Sequence, residues 1–184
     1  AIRTGQMQVY IQPKTAADGV HVVGGEALIR WIKPDNQMVF PGDFIPIFEK
    51  SGDIITLDYF VYKEVFKYQR NRLDNHLPVV PISVNVSKLH LKNDNLKKYL
   101  ERLFNDYKLP VELIELELTE NVYIENMDQA MRLLSWCKEK NIKIAMDDFG
   151  SGYSSLNMIK EIPIDTLKID RDFLSDDEQE SGRY

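Results

Sequence analysis

Residues 127–152 read MDQAMRLLSWCKEKNIKIAMDDFGSG, and the architecture turns on how this stretch is divided. Met127, Ala130, Met131, Leu134 and Cys137 recur at the three-to-four-residue spacing of an apolar helical stripe, which predicts a helix over 127–140. Cys137 falls on that stripe, so we expect it in the core rather than in redox chemistry, and a lone cysteine has no internal disulfide partner. Ile142–Asp147 then forms a short apolar run, a strand that ends on the adjacent acids Asp147 and Asp148. Phe149-Gly150-Ser151-Gly152 follows, where the glycines allow backbone conformations that other residues resist. A helix feeding an apolar strand, with polar residues only at the strand's end, is the grammar of a parallel α/β sheet.

The same alternation extends in both directions. Strands are predicted at Gln8–Pro13, Val20–Trp31, Val79–Val86, Leu113–Leu118 and Thr166–Ile169, and helices at Asp43–Lys50, Ile54–Arg72 and Asn95–Tyr107, with a shorter one from Ser154. Asp53 is placed to cap the second of these helices. The first two strands are separated only by the turn Thr15–Gly19, so they read as an antiparallel hairpin rather than a βαβ unit.

With 43% hydrophobic and 28% charged residues, the 184 residues have the balance of one soluble globular domain. No apolar run reaches membrane-spanning length, and residues 1–6 lack the pattern of a signal peptide, so the expected compartment is the cytoplasm. A net charge of −6 argues against a DNA or RNA duplex as partner. His21, His76 and His90 have no metal-ligand spacing and are expected on the surface or in loops. The acidic run Asp176–Glu180 reads as a solvated segment.

Polar residues gather at one end of several strands. Asn85 closes the third, Glu117 and then Glu120 the fourth, Asp147 and Asp148 the fifth, and Lys168 and then Asp170 the sixth, while Glu26 lies inside the second. Barrel enzymes build their sites at the carboxyl ends of strands, and oxygen donors without clustered histidine or cysteine suit hard cations such as Mg²⁺ or Mn²⁺. Each acid also has an ordinary reading: Glu26 could pair with Arg30, Glu117 could face solvent, and Asp147 and Asp148 could cap a loop. The recurrence across five strands favours a site.

In order along the chain, Tyr10-Ile11-Gln12-Pro13, Gly25-Glu26-Ala27-Leu28-Ile29-Arg30-Trp31, Phe44-Ile45-Pro46 with Glu49, Ser83-Val84-Asn85-Val86-Ser87, Glu117-Leu118-Thr119-Glu120, residues 147–155 from Asp147 to Ser155, and Leu167-Lys168-Ile169-Asp170-Arg171 form seven blocks. The chain resembles the EAL domain family in these blocks. The resemblance implies a modified TIM (β/α)₈ barrel with an antiparallel first strand, which accounts for the opening hairpin. It implies hydrolysis of cyclic di-GMP to linear pGpG with Mg²⁺ or Mn²⁺, two ions per site. On the matching positions, Glu26, Asn85, Glu117, Asp147 and Asp148 are implied as metal ligands, with Glu26, Asp148 and Lys168 in the catalytic machinery. Gln12, Leu28 and Arg30 are implied as substrate contacts, and Glu120 as the anchor of the glycine-rich loop. Ser151 stands where the family commonly has threonine.

The resemblance also implies an E-G-V-E block bearing a general-base glutamate and a later Q-G-[FY] block. Neither occurs in these residues, and Glu178 and Glu180 match neither, so the sequence is expected to be part of a longer chain covering about six of eight strands. Sensory or GGDEF domains upstream and a homodimer are further implications of the resemblance. The competing reading is a domain that binds cyclic di-GMP as a sensor without turning it over.

Overall fold

The computed structural model describes residues 1–150 and 162–170. Its organisation follows from the two-residue alternation of its strands. In β5 (Ile114–Thr119), Ile114, Leu116 and Leu118 are buried on one face, while Glu115, Glu117 and Thr119 lie on the other. The apolar face is covered by helices, and the other lines an interior of polar groups. The remaining elements are β1 (Met7–Thr15), β2 (Val22–Ile32), β3 (Met38–Val39), α1 (Pro41–Ser51), α2 (Ile54–Asp74), β4 (Ile82–Asn85), α3 (Asn95–Tyr107), α4 (Glu120–Glu125), α5 (Met127–Lys140), β6 (Lys143–Phe149) and β7 (Thr166–Ile169).

The strand order is β1-β2-β4-β5-β6-β7, with β3 paired to β2. β1 runs antiparallel to β2, whereas β2 to β7 along this path are parallel. The sheet is strongly curved: Lys168 on β7 reaches Glu26 on β2 with three strands between them. That curvature is the wall of a (β/α) barrel, so the predicted class and the antiparallel first strand hold.

Crossover helices seal the outer face. Leu57, Val61, Val65 and Phe66 of α2, Leu96, Leu100 and Leu103 of α3, and Ala130, Leu133, Leu134 and Cys137 of α5 are all buried. Burial pushes the Cys137 thiol up to about 12, which makes it inert at neutral pH. Trp31 and Phe44 meet edge to face with centroids 5.7 Å apart, fixing α1 against β2. At Gly25 a Cβ would lie 2.7 Å from Ile11 Cγ2, so the β1–β2 pair requires glycine there.

The helices 95–107 and 127–140 and the strand 166–169 match their predicted spans, and the departures have local causes. β4 begins after Pro81, which has no N–H for the ladder and instead offers its carbonyl to Gly25 N at 2.9 Å. β2 begins at Val22 because the Asp18 carboxylate accepts from the backbone of Val20 and His21, and Gly19 has φ 70. Asp53 occupies the cap position of α2, but its carboxylate accepts from Ser51 Oγ at 2.7 Å, not from the helix. The short β3 and α4 carry too little periodicity to announce themselves. His90 lies in the connection after β4, as a loop position, but it is buried there rather than on the surface, 4% exposed with Nε2 3.0 Å from Asp58 Oδ2. The predicted helix from Ser154 and the acidic run lie outside the described residues.

No described helix is long and apolar enough to cross a membrane.

Candidate active site

Register brings the strand-end polar residues together. Glu117 on β5 is level with Asn85 on β4 and Ala145 on β6, and Thr119 is level with Asp147. With side chains alternating along each strand, Asn85, Glu117, Asp147 and Lys168 all project into the barrel near its carboxyl end. Glu26 completes the group from β2. One carboxylate oxygen from each of Glu26, Glu117 and Asp147 lies within 4.8 Å of the others.

Lys168 Nζ sits among these acids, 3.0 Å from Glu26 Oε2 and 2.7 Å from Asp147 Oδ2, and it also donates to Glu117 Oε1. Burial works to lower its pKa, but hydrogen bonds to Asp147 and Glu117 outweigh that and raise it, so the ammonium stays charged. Burial, a hydrogen bond that the protonated Glu117 carboxyl donates to Asp147, and the charge of Glu26 push the Glu117 carboxyl up. Burial also acts on Asp147, but hydrogen bonds from Glu117 and Lys168 prevail and hold it low. Three acids around one ammonium leave an excess of negative charge, the arrangement that a divalent cation neutralises. The donor set is three carboxylates with the Asn85 amide beside them, with no histidine or cysteine among them. Asn85 Nδ2 reaches Glu26 Oε1 at 3.5 Å.

Asp148 takes a different position from its neighbour. It is exposed, has φ 54, and does not share the 4.8 Å grouping of Glu26, Glu117 and Asp147. Its backbone N–H donates to Asp147 Oδ1 at 2.9 Å and helps orient that carboxylate. Burial and the charges of Asp147 and Asp170 raise the Asp148 carboxyl.

The implied substrate contacts form a wall leading out from the acids. Gln12 pairs across from Glu26, and Leu28 and Arg30 follow Glu26 on the same face of β2. Arg30 Nη1 donates to the carbonyl of Ile29 at 2.9 Å and not to Glu26, so the simple surface pair does not form. Glu120 is fully buried, and its Oε2 accepts from Gly150 N at 2.7 Å, tying α4 to the start of the glycine-rich segment. Residues 151–155 of that segment lie outside the described residues, as does Arg171.

One group escaped the sequence reading. Beneath the acids, Lys14 Nζ lies 2.9 Å from Ser83 Oγ and 3.1 Å from Glu115 Oε2, and Thr166 Oγ1 donates to the other Glu115 oxygen at 2.9 Å. These residues sit two positions before Asn85, Glu117 and Lys168 on their strands, and Lys14 sits two after Gln12. The alternation that marks the upper row therefore marks this one too.

A curved parallel sheet with an antiparallel first strand, bearing oxygen donors and a lysine at its carboxyl end, defines a (β/α)-barrel domain whose acidic cluster could hold a metal ion. The profile of the EAL domain family matches residues 1–184, and the chain belongs to that family. It is 34% identical over 176 residues to the signaling protein YkoW of Bacillus subtilis, and 35% identical over 179 residues to the cyclic di-GMP phosphodiesterase NbdA of Pseudomonas aeruginosa. Each match takes in 96% of this chain but 22% of the relative, so the chain spans about a fifth of those proteins. Among solved structures, the PaMucR phosphodiesterase in complex with c-di-GMP superposes with a TM-score of 0.88 at 32% identity, over 98% of this chain and 73% of that one.

Proposed function

We propose that this domain binds cyclic di-GMP and, with Mg²⁺ or Mn²⁺, hydrolyses one of its phosphodiester bonds to give linear pGpG. The observation that carries the reading is the convergence of Glu26, Glu117 and Asp147 around Lys168 at the carboxyl end of the strands, with Asn85 beside them. Relatives named as phosphodiesterases, and a superposable structure holding c-di-GMP, support the choice of substrate.

Glu26, Asn85, Glu117 and Asp147 hold two cations in this reading, and Asp148 serves them from the rim. A bound divalent cation supplies activation of water near neutral pH and neutralises phosphate charge. Lys168, fixed and positively charged, stabilises the charge that develops on the phosphate oxygens as water adds and the P–O3′ bond breaks. Gln12, Leu28 and Arg30 position the nucleotide along the wall above, with Arg30 turning from Ile29 to the phosphate. Glu120 acts indirectly, through Gly150. An acidic protein would thereby accommodate a dianion: its carboxylates would hold cations that neutralise phosphate charge, and Arg30 would contact a phosphate.

The test is incubation of the protein with cyclic di-GMP and Mn²⁺, with products separated by chromatography and an EDTA control. Formation of pGpG that EDTA abolishes is expected. Nucleotide binding without turnover would reassign the domain to sensing, and absence of both would remove the ligand assignment.

A further inference from the structure

The polar row beneath the acids has no part in the proposed chemistry, yet it is built with care. β1 is antiparallel to β2, so Lys14 falls opposite Gly24, just as Gln12 falls opposite Glu26. Gly24 faces the interior, where a Cβ would lie 3.7 Å from Lys14 Cδ and 3.3 Å from the Pro81 carbonyl. The tight contact is with the Pro81 carbonyl, and the lysine stem packs over Gly24 on its way to the barrel axis. There the ammonium meets three groups at once: Ser83 Oγ at 2.9 Å, Glu115 Oε2 at 3.1 Å and Glu117 Oε2 at 3.5 Å. Its side chain is 27% exposed, against 0% for that of Glu117.

Glu117 is therefore gripped from both sides. Oε1 faces the mouth and Lys168, while Oε2 faces down to Lys14. A Glu side chain has three rotatable bonds, and ligating carboxylates depend on outer partners to hold their orientation. Glu115 in turn is fixed by Thr166, so Lys14 is anchored to β5 and not merely drawn to negative charge.

We propose that Lys14 is a positioning residue for Glu117, holding one carboxylate oxygen from below so that the other is presented to the metal, with Glu115, Ser83 and Thr166 holding Lys14 itself. This rests on the reading of Glu117 as a metal ligand. Charge alone pulls the other way: an ammonium near a cation site repels the cation, so removing Lys14 by itself mixes lost anchoring with relieved repulsion. The informative variant is the charge-neutral pair Lys14→Met with Glu115→Gln, which deletes the anchor and leaves the net charge of the row unchanged.

Mn²⁺ alone is titrated calorimetrically into the full chain, the pair variant, Glu117→Gln, and the triple variant combining them. The pair variant is expected to bind Mn²⁺ about tenfold more weakly, as for loss of an outer partner of a ligand. In the Glu117→Gln background the same two changes should have almost no further effect, because Lys14 acts through Glu117. A general loss of structure would not show that dependence. If the pair variant unfolds, Lys14→Gln with Glu115→Gln removes the charged anchor at nearly conserved size and takes its place. Undiminished Mn²⁺ affinity in the neutral pair, or an equal loss with and without Glu117, overturns the proposal alone. Wild-type affinity in Glu117→Gln overturns the metal reading and the proposal with it.

Discussion

Two acids largely shielded from water, on opposite sides of the barrel wall, meet similar physics and serve different ends. Glu117 lies inside the barrel and Asp58 outside it, between α2 and the segment after β4, and burial pushes both carboxyls up. Around Asp58 the remaining influences all favour the charged form: a hydrogen bond and charge from His90, then the backbone N–H of Ser87. Tyr59 and Tyr62 pack around His90 with centroids 5.3 and 6.0 Å away, and Tyr62 donates to the Asn85 carbonyl at 2.8 Å. Around Glu117 the neighbours include Asp147 and Glu26, which raise it further. An acid enclosed by its own donors is a structural fixture; an acid crowded by other acids at a strand end has unspent capacity for a cation. Burial alone distinguishes nothing, and the sign of the neighbours does.

The comparison is broken most directly at Glu117. Glu117→Gln keeps the volume and removes one of three crowded charges, so we expect pGpG formation to fall by more than the roughly 10- to 100-fold range for losing an outer partner of a ligand. The melting temperature should stay level or rise, because like-charge repulsion is relieved. Hydrolysis near the wild-type rate would place the metal elsewhere. The mirror experiment is Asp58→Ala, which strands His90 in a buried, aromatic-walled position. We expect a loss of about 3 kcal/mol in urea unfolding, in the range for breaking one side of a buried pair. Turnover per folded molecule should change far less than in Glu117→Gln. A stability loss without change in turnover separates the two acids, and the reverse pattern would mean that the outer cluster also sets the position of Asn85.

How much of this contrast the sequence carries depends on which face a residue occupies. The upper row of the site was legible because Asn85, Glu117, Asp147 and Lys168 interrupt apolar runs at the same end of successive strands. The lower row of Lys14, Ser83, Glu115 and Thr166 carries the same two-residue signal, but Ser83 and Thr166 are ordinary strand residues and Lys14 adjoins a turn, so nothing marked them out without the register. The burial of His90 is hidden for a related reason: it lies in a short 3-10 turn without periodicity, and its partner Asp58 is 32 residues away on α2. Helices α3 and α5 were placed to the residue because their apolar stripes are long. Strand β4 was cut short by Pro81, whose missing donor outweighs the β-branched run around it.

The finest test of the comparison is the pH dependence of stability. Because burial raises the Asp58 carboxyl in the folded protein, the folded state binds a proton more tightly there than the unfolded chain, whose aspartates titrate near 3.9. Stability rises with pH only where the unfolded state binds more protons; here it binds fewer, so this group's contribution is fully present below about 3.9 and is lost as pH climbs through the raised value. Asp58→Asn removes the titration while keeping a side chain that can bond His90. Urea midpoints of the two proteins, measured from pH 4 to 7, should therefore converge or cross, the variant gaining on the wild type as pH rises. His90 opposes this trend, since a protonated imidazole favours the ionised acid, and the two Tyr side chains stay neutral throughout the window. A variant that loses ground with rising pH would mean that the ion pair with His90 prevails over burial. Asp58 would then be held as a charge by its donors, and the outer cluster would differ from the inner one in the sign of its acid's shift as well as in its neighbours.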